Sequence, residues 1–197
     1  MIAFIHSIDM AVLKQLYALR SYPVSLVLIY VSELGQWYVV CGLSLIYALI
    51  MGVRKNSKNA TILFFSVIAT ALTVLALKAL FQISRPESMF QAYPEMWYSF
   101  PSAHAALSAV FYGSIWLFLD RHVHSQSPFR LFALIVLPIV IVAVCFSRLY
   151  LGVHYLSDVV VGLIIGITYI VLSERIRVIK LPFYRTKSHI APATTIR

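Results

Sequence analysis

The fold is decided by residues 131–147, which read LFALIVLPIVIVAVCFS and contain no charged side chain. A second, largely apolar stretch covers residues 152–173. A helix needs about 20 apolar residues to cross the hydrocarbon core of a bilayer, so each stretch predicts a membrane-spanning helix. The two stretches are joined by a polar run, Ser147-Arg148-Leu-Tyr-Leu-Gly-Val-His154-Tyr-Leu-Ser-Asp158.

The composition of the whole chain agrees with these two helices. Of the 197 residues, 61% are hydrophobic and 12% are charged, and the mean hydropathy is +0.87. Soluble domains carry about a quarter charged residues, so we predict an integral membrane protein of the all-α class. One helix bundle accounts for the length, and we treat residues 1–197 as a single domain. We attribute the net charge of +9 to basic cytoplasmic loops rather than to nucleic-acid binding.

Further apolar segments bring the predicted number of clear spans to five, and residues 37–173 form the bundle. The spans are predicted at 37–53, 60–83, 103–119, 131–147 and 152–173. Residues 1–36 are predicted as interfacial or broken helices, because 1–20 carry an apolar stripe interrupted by charges and 24–34 are too short to cross alone. If residues 1–20 are instead a poor first span, the chain has six spans. Residues 174–197 form a basic tail.

The distribution of lysine and arginine predicts the orientation of the bundle. The connection after 37–53 carries three of these residues, the connection at 120–130 carries two, and the tail carries six. Cytoplasmic loops are rich in Lys and Arg, so these regions and the C-terminus are assigned to the cytoplasm. The opposite, outer side then holds the aromatic loop 84–100 and every chemically unusual polar residue: Lys78, Arg85, His104, Arg148 and His154.

Two clusters of polar residues lie at predicted helix ends on this outer side. Lys78 lies inside an apolar run and Arg85 follows it, and the pair either snorkels to the membrane surface or binds phosphate oxygens. Ser102 is placed to cap a helix that starts at Ala103, whose free N–H groups would bind an anion beside His104. The alternative for this second cluster is a capped helix with an interfacial histidine.

The third cluster is the polar run at 147–158. His154 and Asp158 are four residues apart, so on a helix they share one face and can hydrogen-bond, and Arg148 lies just upstream. Taken alone, they are equally well explained as a structural His–Asp pair at a helix start. Together the three clusters supply cations, a helix N-terminus, two histidines and a carboxylate, which is the equipment for phosphoryl transfer without a metal ion. We find no carboxylate cluster suited to Mg²⁺ on the outer side.

Three motifs resemble the signature motifs of the type 2 phosphatidic acid phosphatase family. They are Lys78-x6-Arg85-Pro86, Pro101-Ser102-Ala103-His104 and Ser147-Arg148-x5-His154-x3-Asp158, which occur in the family's order over residues 78–158. One position departs from the family, which usually has glycine where this chain has Ala103. Alanine keeps the backbone N–H but restricts the backbone and adds a methyl group, and we expect activity to survive.

The resemblance implies a role for each matching residue. His154 would be the nucleophile that forms a phosphohistidine, Asp158 would hold its tautomer, and His104 would protonate the leaving group and then activate water. The phosphoryl oxygens would be bound by Lys78, Arg85, Ser102, Arg148 and the backbone N–H of Ala103.

The implied function is an integral membrane lipid phosphatase that acts on a phosphate monoester or diphosphate without metal or cofactor. Phosphatidylglycerophosphate, phosphatidic acid and undecaprenyl diphosphate are the substrates considered, and the expected location is a bacterial inner (plasma) membrane with the site on the outer face. Two alternatives remain: a lipid phosphotransferase that uses the same residues, and a transporter that binds anionic lipid without turnover. The expected partners are membrane lipids, and the sequence does not indicate an oligomeric state.

The remaining reactive residues are expected to lie outside the site. Cys41 and Cys145 lie in apolar runs and are predicted to be free packing residues. The histidines near the termini and in the 120–130 connection are expected to have no catalytic role: His6, His122, His124 and His189. The aromatic loop 84–100 is typical of an interfacial belt and is also the best candidate for a lid over a lipid headgroup.

Overall fold

The computed structural model of the chain describes residues 2–53, 57–122 and 127–178, and it confirms the all-α class. Within these residues there is no β-strand, and one short 3-10 turn covers Ser88–Phe90. The seven helices are α1 Ile2–Ala18, α2 Tyr22–Glu33, α3 Trp37–Val53, α4 Ser57–Phe81, α5 Ala103–His122, α6 Pro128–Tyr150 and α7 Leu156–Val178.

Helix α5 is the central helix of the bundle and packs against α3, α4, α6 and α7. More than half of its most apolar stretch is buried inside the protein, compared with a third or less for α4, α6 and α7. Its contact with α7 is close, because a Cβ atom on Gly162 of α7 would clash with the carbonyl oxygen of Ser102. The outer helices instead present large apolar side chains outward, such as Phe65, Ile135 and Ile164, as expected of surfaces that face lipid.

The described residues contain four or five candidate membrane spans. By length and composition, α4, α5, α6 and α7 can each cross a bilayer, and α2 and α3 together can form a fifth, broken span bent by 41°. The predicted first clear span at 37–53 corresponds to α3, whose 17 residues are too few to cross alone. The part of the chain that the structure describes therefore supports four or five spans, and the predicted count of five clear spans, with six as the alternative, is not confirmed.

The last helix is longer than predicted. The predicted span ended at residue 173 and the basic tail began at 174, whereas α7 continues to Val178. Glu174 explains part of this extension, because its carboxylate forms ion pairs with Arg177 on the same helix and with Arg121 near the end of α5. The rest of the predicted tail, 179–197, lies outside the described residues.

Helix α1 packs across the ends of α6 and α7 and against the 3-10 turn. The buried carboxylate of Asp9 accepts hydrogen bonds from the backbone N–H and the hydroxyl group of Ser157, at 2.9 and 2.7 Å. A carboxylate at this position satisfies a free N–H of α7 and interacts favourably with the positive end of that helix. Helix α1 therefore holds the start of α7 in place.

Candidate active site

The ends of four helices meet at one end of the bundle, covered by the loop 82–102. Lys78 lies in the last turn of α4 and Arg148 in the last turn of α6. Ala103 is the first residue of α5, and Asp158 lies in the first turn of α7. The chain thus delivers residues that are far apart in sequence to one place.

The structure brings together every residue that the sequence predicts for the site. These are Lys78, Arg85, Ser102, Ala103, His104, Arg148, His154 and Asp158. Direct contacts connect Arg85 to His154, His154 to Asp158, and the backbone N–H of Ser102 to the backbone carbonyl of Asp158 at 3.0 Å. The side chains of Lys78, Arg85, Arg148 and His154 lie close enough to His104 to interact with it electrostatically.

His154 and Asp158 form a buried pair, although not on one helical face as predicted. His154 lies in the turn before α7, and its Nδ1 atom is 3.3 Å from Oδ2 of Asp158. The same Oδ2 atom accepts the backbone N–H of Tyr155 at 2.9 Å. Asp158 is the third residue of α7 and Tyr155 precedes the helix, so this bond is one half of a capping box. The cap turns the carboxylate back towards His154.

The hydrogen bonds of His154 define its tautomer. Its Nε2 atom lies 3.2 Å from Nη1 of Arg85, and a guanidinium group can only donate hydrogen bonds. Nε2 is therefore the acceptor and carries no proton, so the ring proton lies on Nδ1 and points towards Asp158. This tautomer leaves a lone pair on Nε2, which is what a nucleophilic histidine requires.

The surroundings of His154 also favour the neutral ring. The side chain is fully buried, and burial lowers the pKa of His154 well below its ordinary value of 6.5. The positive charges of Arg148, Arg85 and Lys78 lower this pKa further. The imidazole is therefore unprotonated at neutral pH and keeps its lone pair.

Ser99 is a member of the site that the sequence did not reveal. Its buried hydroxyl group donates a short hydrogen bond to Oδ2 of Asp158 and lies 3.3 Å from Nδ1 of His154. Its backbone carbonyl accepts a hydrogen bond from Nζ of Lys78 at 3.0 Å. Ser99 therefore connects the His–Asp pair to a cation of the predicted phosphate-binding set. It lies in a loop without periodicity, two residues before the Pro101-Ser102-Ala103-His104 motif, so no sequence pattern indicated it.

Arg85 makes four hydrogen bonds and one ion pair. Nε donates to the carbonyl of Trp97, Nη1 to the carbonyl of Val153 and to Nε2 of His154, and Nη2 to the carbonyl of Met96, while Nη2 also forms an ion pair with the carboxylate of Glu95 at 3.3 Å. Arg85 thus fixes the loop 82–102 to the turn that carries His154. A phosphate oxygen at this guanidinium group competes with partners that are already in place.

Arg148 is fully buried and has three polar partners, one from α2 and two from the loop 82–102. Nη1 donates to the hydroxyl groups of Ser32 and Tyr93, both at 2.6 Å, and Nη2 forms a short ion pair with Glu95. The buried Nε atom has no hydrogen-bond partner among the described residues. That donor is available to an anion, and an anion is the partner that a buried guanidinium group most requires. Ser32, Tyr93 and Glu95 were not predicted.

The turn before α7 is shaped by one glycine. Gly152 has a φ angle of +68°, which glycine adopts without steric cost, and a Cβ atom there would overlap the carbonyl oxygen of Phe90. Next to it, the backbone N–H of Ala92 donates to the carbonyl of Leu151 at 2.9 Å. The turn 151–155 and the loop 82–102 are therefore packed backbone against backbone.

Among the described residues, His6, Cys41 and Cys145 make no hydrogen bond or ion pair with this cluster. The ring of His6 contacts the ring of Tyr155, with centroids 6.4 Å apart, and His122 is the last residue of α5, at the opposite end from His104. His124 and His189 lie outside the described residues. Cys41 and Cys145 are free thiols. Among the described residues there is no group of three or more His, Cys, Asp or Glu side chains that could hold a metal ion.

Fold and site define a class: a polytopic helical membrane protein with a histidine–aspartate pair and buried cations at one end of its bundle. The family model described as the PAP2 superfamily matches residues 59–180. Since this match covers more than half of the chain, the protein belongs to that superfamily, and the resemblance carried by the three motifs is confirmed.

Individual relatives agree with this assignment. Phosphatidylglycerophosphatase B of Bacillus subtilis (strain 168) is 37% identical over 70 residues, which cover 36% of this chain and 34% of that protein. The match thus spans about a third of the length of that relative. The crystal structure of the first transmembrane PAP2 type phosphatidylglycerolphosphate phosphatase from Bacillus subtilis aligns with a TM-score of 0.79 and 25% identity, covering 89% of this chain and 88% of that chain.

A second solved structure shares the fold. The crystal structure of Aquifex aeolicus LpxE aligns with a TM-score of 0.68 over 85% of this chain and 94% of that chain. At 21% identity, this likeness concerns the fold alone. Together with the apolar helices, the family assignment identifies the chain as an integral membrane protein.

Proposed function

We propose that this protein is a membrane lipid phosphatase in which His154 attacks the phosphorus atom of a lipid phosphate. The observation that carries the proposal is the geometry of His154: a buried imidazole whose Nε2 atom accepts a hydrogen bond from Arg85 and whose Nδ1 atom faces the carboxylate of Asp158. The named function of the Bacillus subtilis relatives, which are phosphatidylglycerophosphate phosphatases, supports a phospholipid monoester as the substrate.

The first chemical step forms a phosphohistidine. Nε2 of His154 donates its electron pair to phosphorus, the bond from phosphorus to the lipid oxygen breaks, and His104 gives that oxygen a proton. The Arg85 donor that occupied Nε2 moves to a phosphoryl oxygen, and Asp158 stabilises the positive charge that develops on the imidazole. The negative charge of the bound phosphate favours the protonated form of His104 that this step needs.

The second step returns the enzyme to its starting state. His104, now neutral, takes a proton from water as the water oxygen attacks phosphorus. The phosphorus–nitrogen bond breaks, its electron pair returns to Nε2 of His154, and inorganic phosphate leaves. Lys78, Arg148 and the free N–H groups at the start of α5 balance the charge on the equatorial oxygens in both steps. In this scheme the protein's own cations supply the charge stabilisation, so no metal ion is required.

An apolar cavity supports a lipid rather than a soluble phosphate ester as substrate. It has a volume of about 470 Å³, lies between α3, α4 and α5, and is lined almost entirely by apolar atoms. Lys78 and Ala103 line the same cavity, which therefore reaches the proposed phosphate site. A substrate tail in this cavity would place its headgroup at the cations, and the substrate would arrive by lateral diffusion in the bilayer.

The proposed location follows from the positive-inside rule, with the site on the outer face of a bacterial plasma membrane and the C-terminus in the cytoplasm. A single cysteine introduced at Met96, which is exposed in the loop over the site, would test this orientation in a Cys41→Ser, Cys145→Ser background. We expect labelling by a membrane-impermeant maleimide from the outer side. Labelling from the cytoplasmic side alone would show that the proposed orientation is wrong.

The activity is tested by measuring phosphate release from purified protein in detergent. The substrates are phosphatidylglycerophosphate, phosphatidic acid and undecaprenyl diphosphate, each with and without EDTA. We expect release from at least one of them that EDTA leaves unchanged and that His154→Ala abolishes. His122→Ala is the matched control, because His122 lies at the far end of α5, and it should keep wild-type activity. Release that survives His154→Ala would exclude the phosphohistidine, and full inhibition by EDTA would exclude metal-free chemistry.

A further inference from the structure

Glu95 lies between the two arginines of the proposed phosphate site. Its Oε1 atom forms a short ion pair with Nη2 of Arg148, and its Oε2 atom lies 3.3 Å from Nη2 of Arg85. The hydroxyl group of Tyr93 donates a third bond to Oε1 at 3.2 Å. A carboxylate offers a guanidinium group the same pair of anionic oxygens as a phosphate does. Glu95 therefore makes the contacts that the substrate would make.

The charge of Glu95 is retained in this environment. Burial raises the pKa of the carboxyl group, but the charges and hydrogen bonds of Arg148 and Arg85, with the hydrogen bond from Tyr93, outweigh this effect and hold the pKa below its ordinary value of 4.5. Glu95 is thus an anion throughout the neutral pH range, and it compensates two buried cations.

The existing contacts of Arg85 limit how a phosphate can bind. Of the five acceptors that Arg85 contacts, three are backbone carbonyls and one is the proposed nucleophilic nitrogen of His154. The remaining acceptor, Glu95, is the only anion among them. A phosphate dianion next to this carboxylate would be repelled, so the contact with Glu95 is the one that substrate binding opposes most strongly.

The position of Glu95 allows it to withdraw. It lies in the loop 82–102, and the two residues that follow it, Met96 and Trp97, have 81% and 76% of their surface exposed. Glu95 therefore lies next to the protein surface, and its side chain can leave the arginines by a change of rotamer while the carbonyls of Met96 and Trp97 stay bound to Arg85.

We propose that Glu95 is the internal counter-anion of the arginine pair, which substrate phosphate displaces on binding and which displaces product phosphate on release. Glu95 then determines how tightly the site holds phosphate anions in general. This inference rests on the proposed function, since it takes Arg85 and Arg148 to be the phosphate-binding residues.

The test compares Glu95→Gln with the wild type, using inorganic phosphate as both ligand and competitive inhibitor. Glutamine keeps the size of the side chain and removes its charge. We expect the inhibition constant for inorganic phosphate to fall about tenfold or more, because the competing negative charge is gone. KM for the lipid substrate should fall with it, while kcat decreases as product leaves more slowly. Glu87→Gln is the matched control, because Glu87 lies in the same loop and is exposed, and it should change neither constant.

A purely structural role for Glu95 predicts a loss of stability in Glu95→Gln that inorganic phosphate does not restore. Removing the carboxylate leaves two buried guanidinium groups with less compensation, so Glu95→Gln should have a lower Tm than the wild type when no anion is added. We expect added inorganic phosphate to restore that Tm, and to raise it by more than it raises the Tm of Glu87→Gln. An inhibition constant that is unchanged or higher would overturn the inference, as would a Tm that phosphate does not restore.

The failure of this inference can be distinguished from failure of the proposed function. Phosphate binding is measured by its effect on Tm, which does not require turnover. If the wild type hydrolyses lipid phosphate but Glu95→Gln binds phosphate no more tightly, the exchange is excluded and the phosphatase stands. If no lipid phosphate is hydrolysed but Glu95→Gln binds phosphate more tightly, the phosphatase is excluded and Glu95 remains the counter-anion of an anion-binding site.

Discussion

Nη1 of Arg85 lies 3.2 Å from Nε2 of His154, so the imidazole is held between a cation on one side and the carboxylate of Asp158 on the other. The arginine occupies the nitrogen atom that would attack phosphorus. A phosphoryl oxygen attracts the same guanidinium group, so substrate binding itself would free the nucleophile. In the absence of substrate, the arrangement keeps the ring in the correct tautomer and keeps its lone pair occupied.

The Asp158→Asn variant tests the role of the carboxylate. The asparagine amide can donate a hydrogen bond to Nδ1 of His154, which would move the ring proton to Nε2 and remove the nucleophilic lone pair. We expect kcat for lipid phosphate hydrolysis to fall roughly 10³- to 10⁴-fold, as for the same change in a Ser-His-Asp triad. KM should change much less, because Asp158 is not one of the residues proposed to bind the phosphate.

Asp120→Asn is the control for this experiment. Asp120 lies near the opposite end of α5, where its carboxylate pairs with Arg130, and it should keep full activity. An Asp158→Asn enzyme with near wild-type kcat would show that the His–Asp pair is structural.

The depressed pKa of His154 predicts a pH dependence of stability. Its pKa in the folded protein lies below the ordinary value of 6.5, so the folded state binds this proton less readily than the unfolded state does. The stability gained from the neutral ring is complete above pH 6.5 and is lost as the pH falls from 6.5 towards the folded pKa. We therefore expect the Tm of the wild type to fall more steeply than that of His154→Gln between pH 6.5 and 5.

The comparison with His154→Gln isolates one residue. Glutamine is neutral at every pH, so contributions from the other titrating groups are shared by both proteins and cancel in the difference of their Tm values. If Tm fell equally with pH in the two proteins, His154 would have its ordinary pKa in the folded state. Burial would then not keep its ring neutral.

The contact between Asp9 and Ser157 predicts that α1 stabilises the site from outside. Asp9→Ala removes the partner of a free N–H at the start of α7, and we expect a loss of about 1 kcal/mol in the free energy of unfolding. Because Ser157 precedes Asp158, kcat should decrease as well, while KM is largely kept. Lys14→Ala replaces an exposed residue of the same helix and should change neither the free energy of unfolding nor kcat. Unchanged stability in Asp9→Ala would show that α1 does not brace α7.

The long helices and the grouping of the eight motif residues could be predicted because both depend on signals that are local in the chain. An apolar run such as 131–147 has few alternatives to a spanning helix. The motif residues lie at the ends of these helices or in the loop and turn next to those ends, so they meet once α4, α5, α6 and α7 pack together. The contact of His154 with Asp158 was also foreseen, although it is made through a capping turn and not along one helical face.

The partners of the arginines could not be predicted in this way. Ser32 contacts Arg148 across 116 positions of sequence, and Tyr93 and Glu95 reach it from an irregular loop. Side-chain directions in such a loop follow no period, so nothing in the sequence indicated that Glu95 faces inward. The sequence indicated α2 and α3 as two separate apolar segments. It did not indicate that the two helices together can form one bent span.

Gly152 provides a final prediction that concerns the turn carrying His154. Alanine at this position would be held at φ +68°, which costs an L-amino acid about 1–2 kcal/mol, and its methyl group would overlap the carbonyl oxygen of Phe90. The turn 151–155 must then move away from the loop 82–102, and His154 moves with it. We expect a lower Tm and a kcat reduced about 10²-fold, since misplacement of a reacting group by about 1 Å has an effect of this size.

Gly42→Ala separates this effect from the general cost of replacing glycine in the protein. Gly42 lies inside α3 with open space around its Cα atom, and alanine there should be neutral or stabilising by up to about 1 kcal/mol. If Gly152→Ala kept both its Tm and its kcat, the backbone contact between Gly152 and Phe90 would not position the nucleophile.

Because Phe90 and Glu95 lie in the same loop, a Gly152→Ala protein that folds should also bind inorganic phosphate with altered affinity. The turn and the arginine pair would then be coupled through that loop.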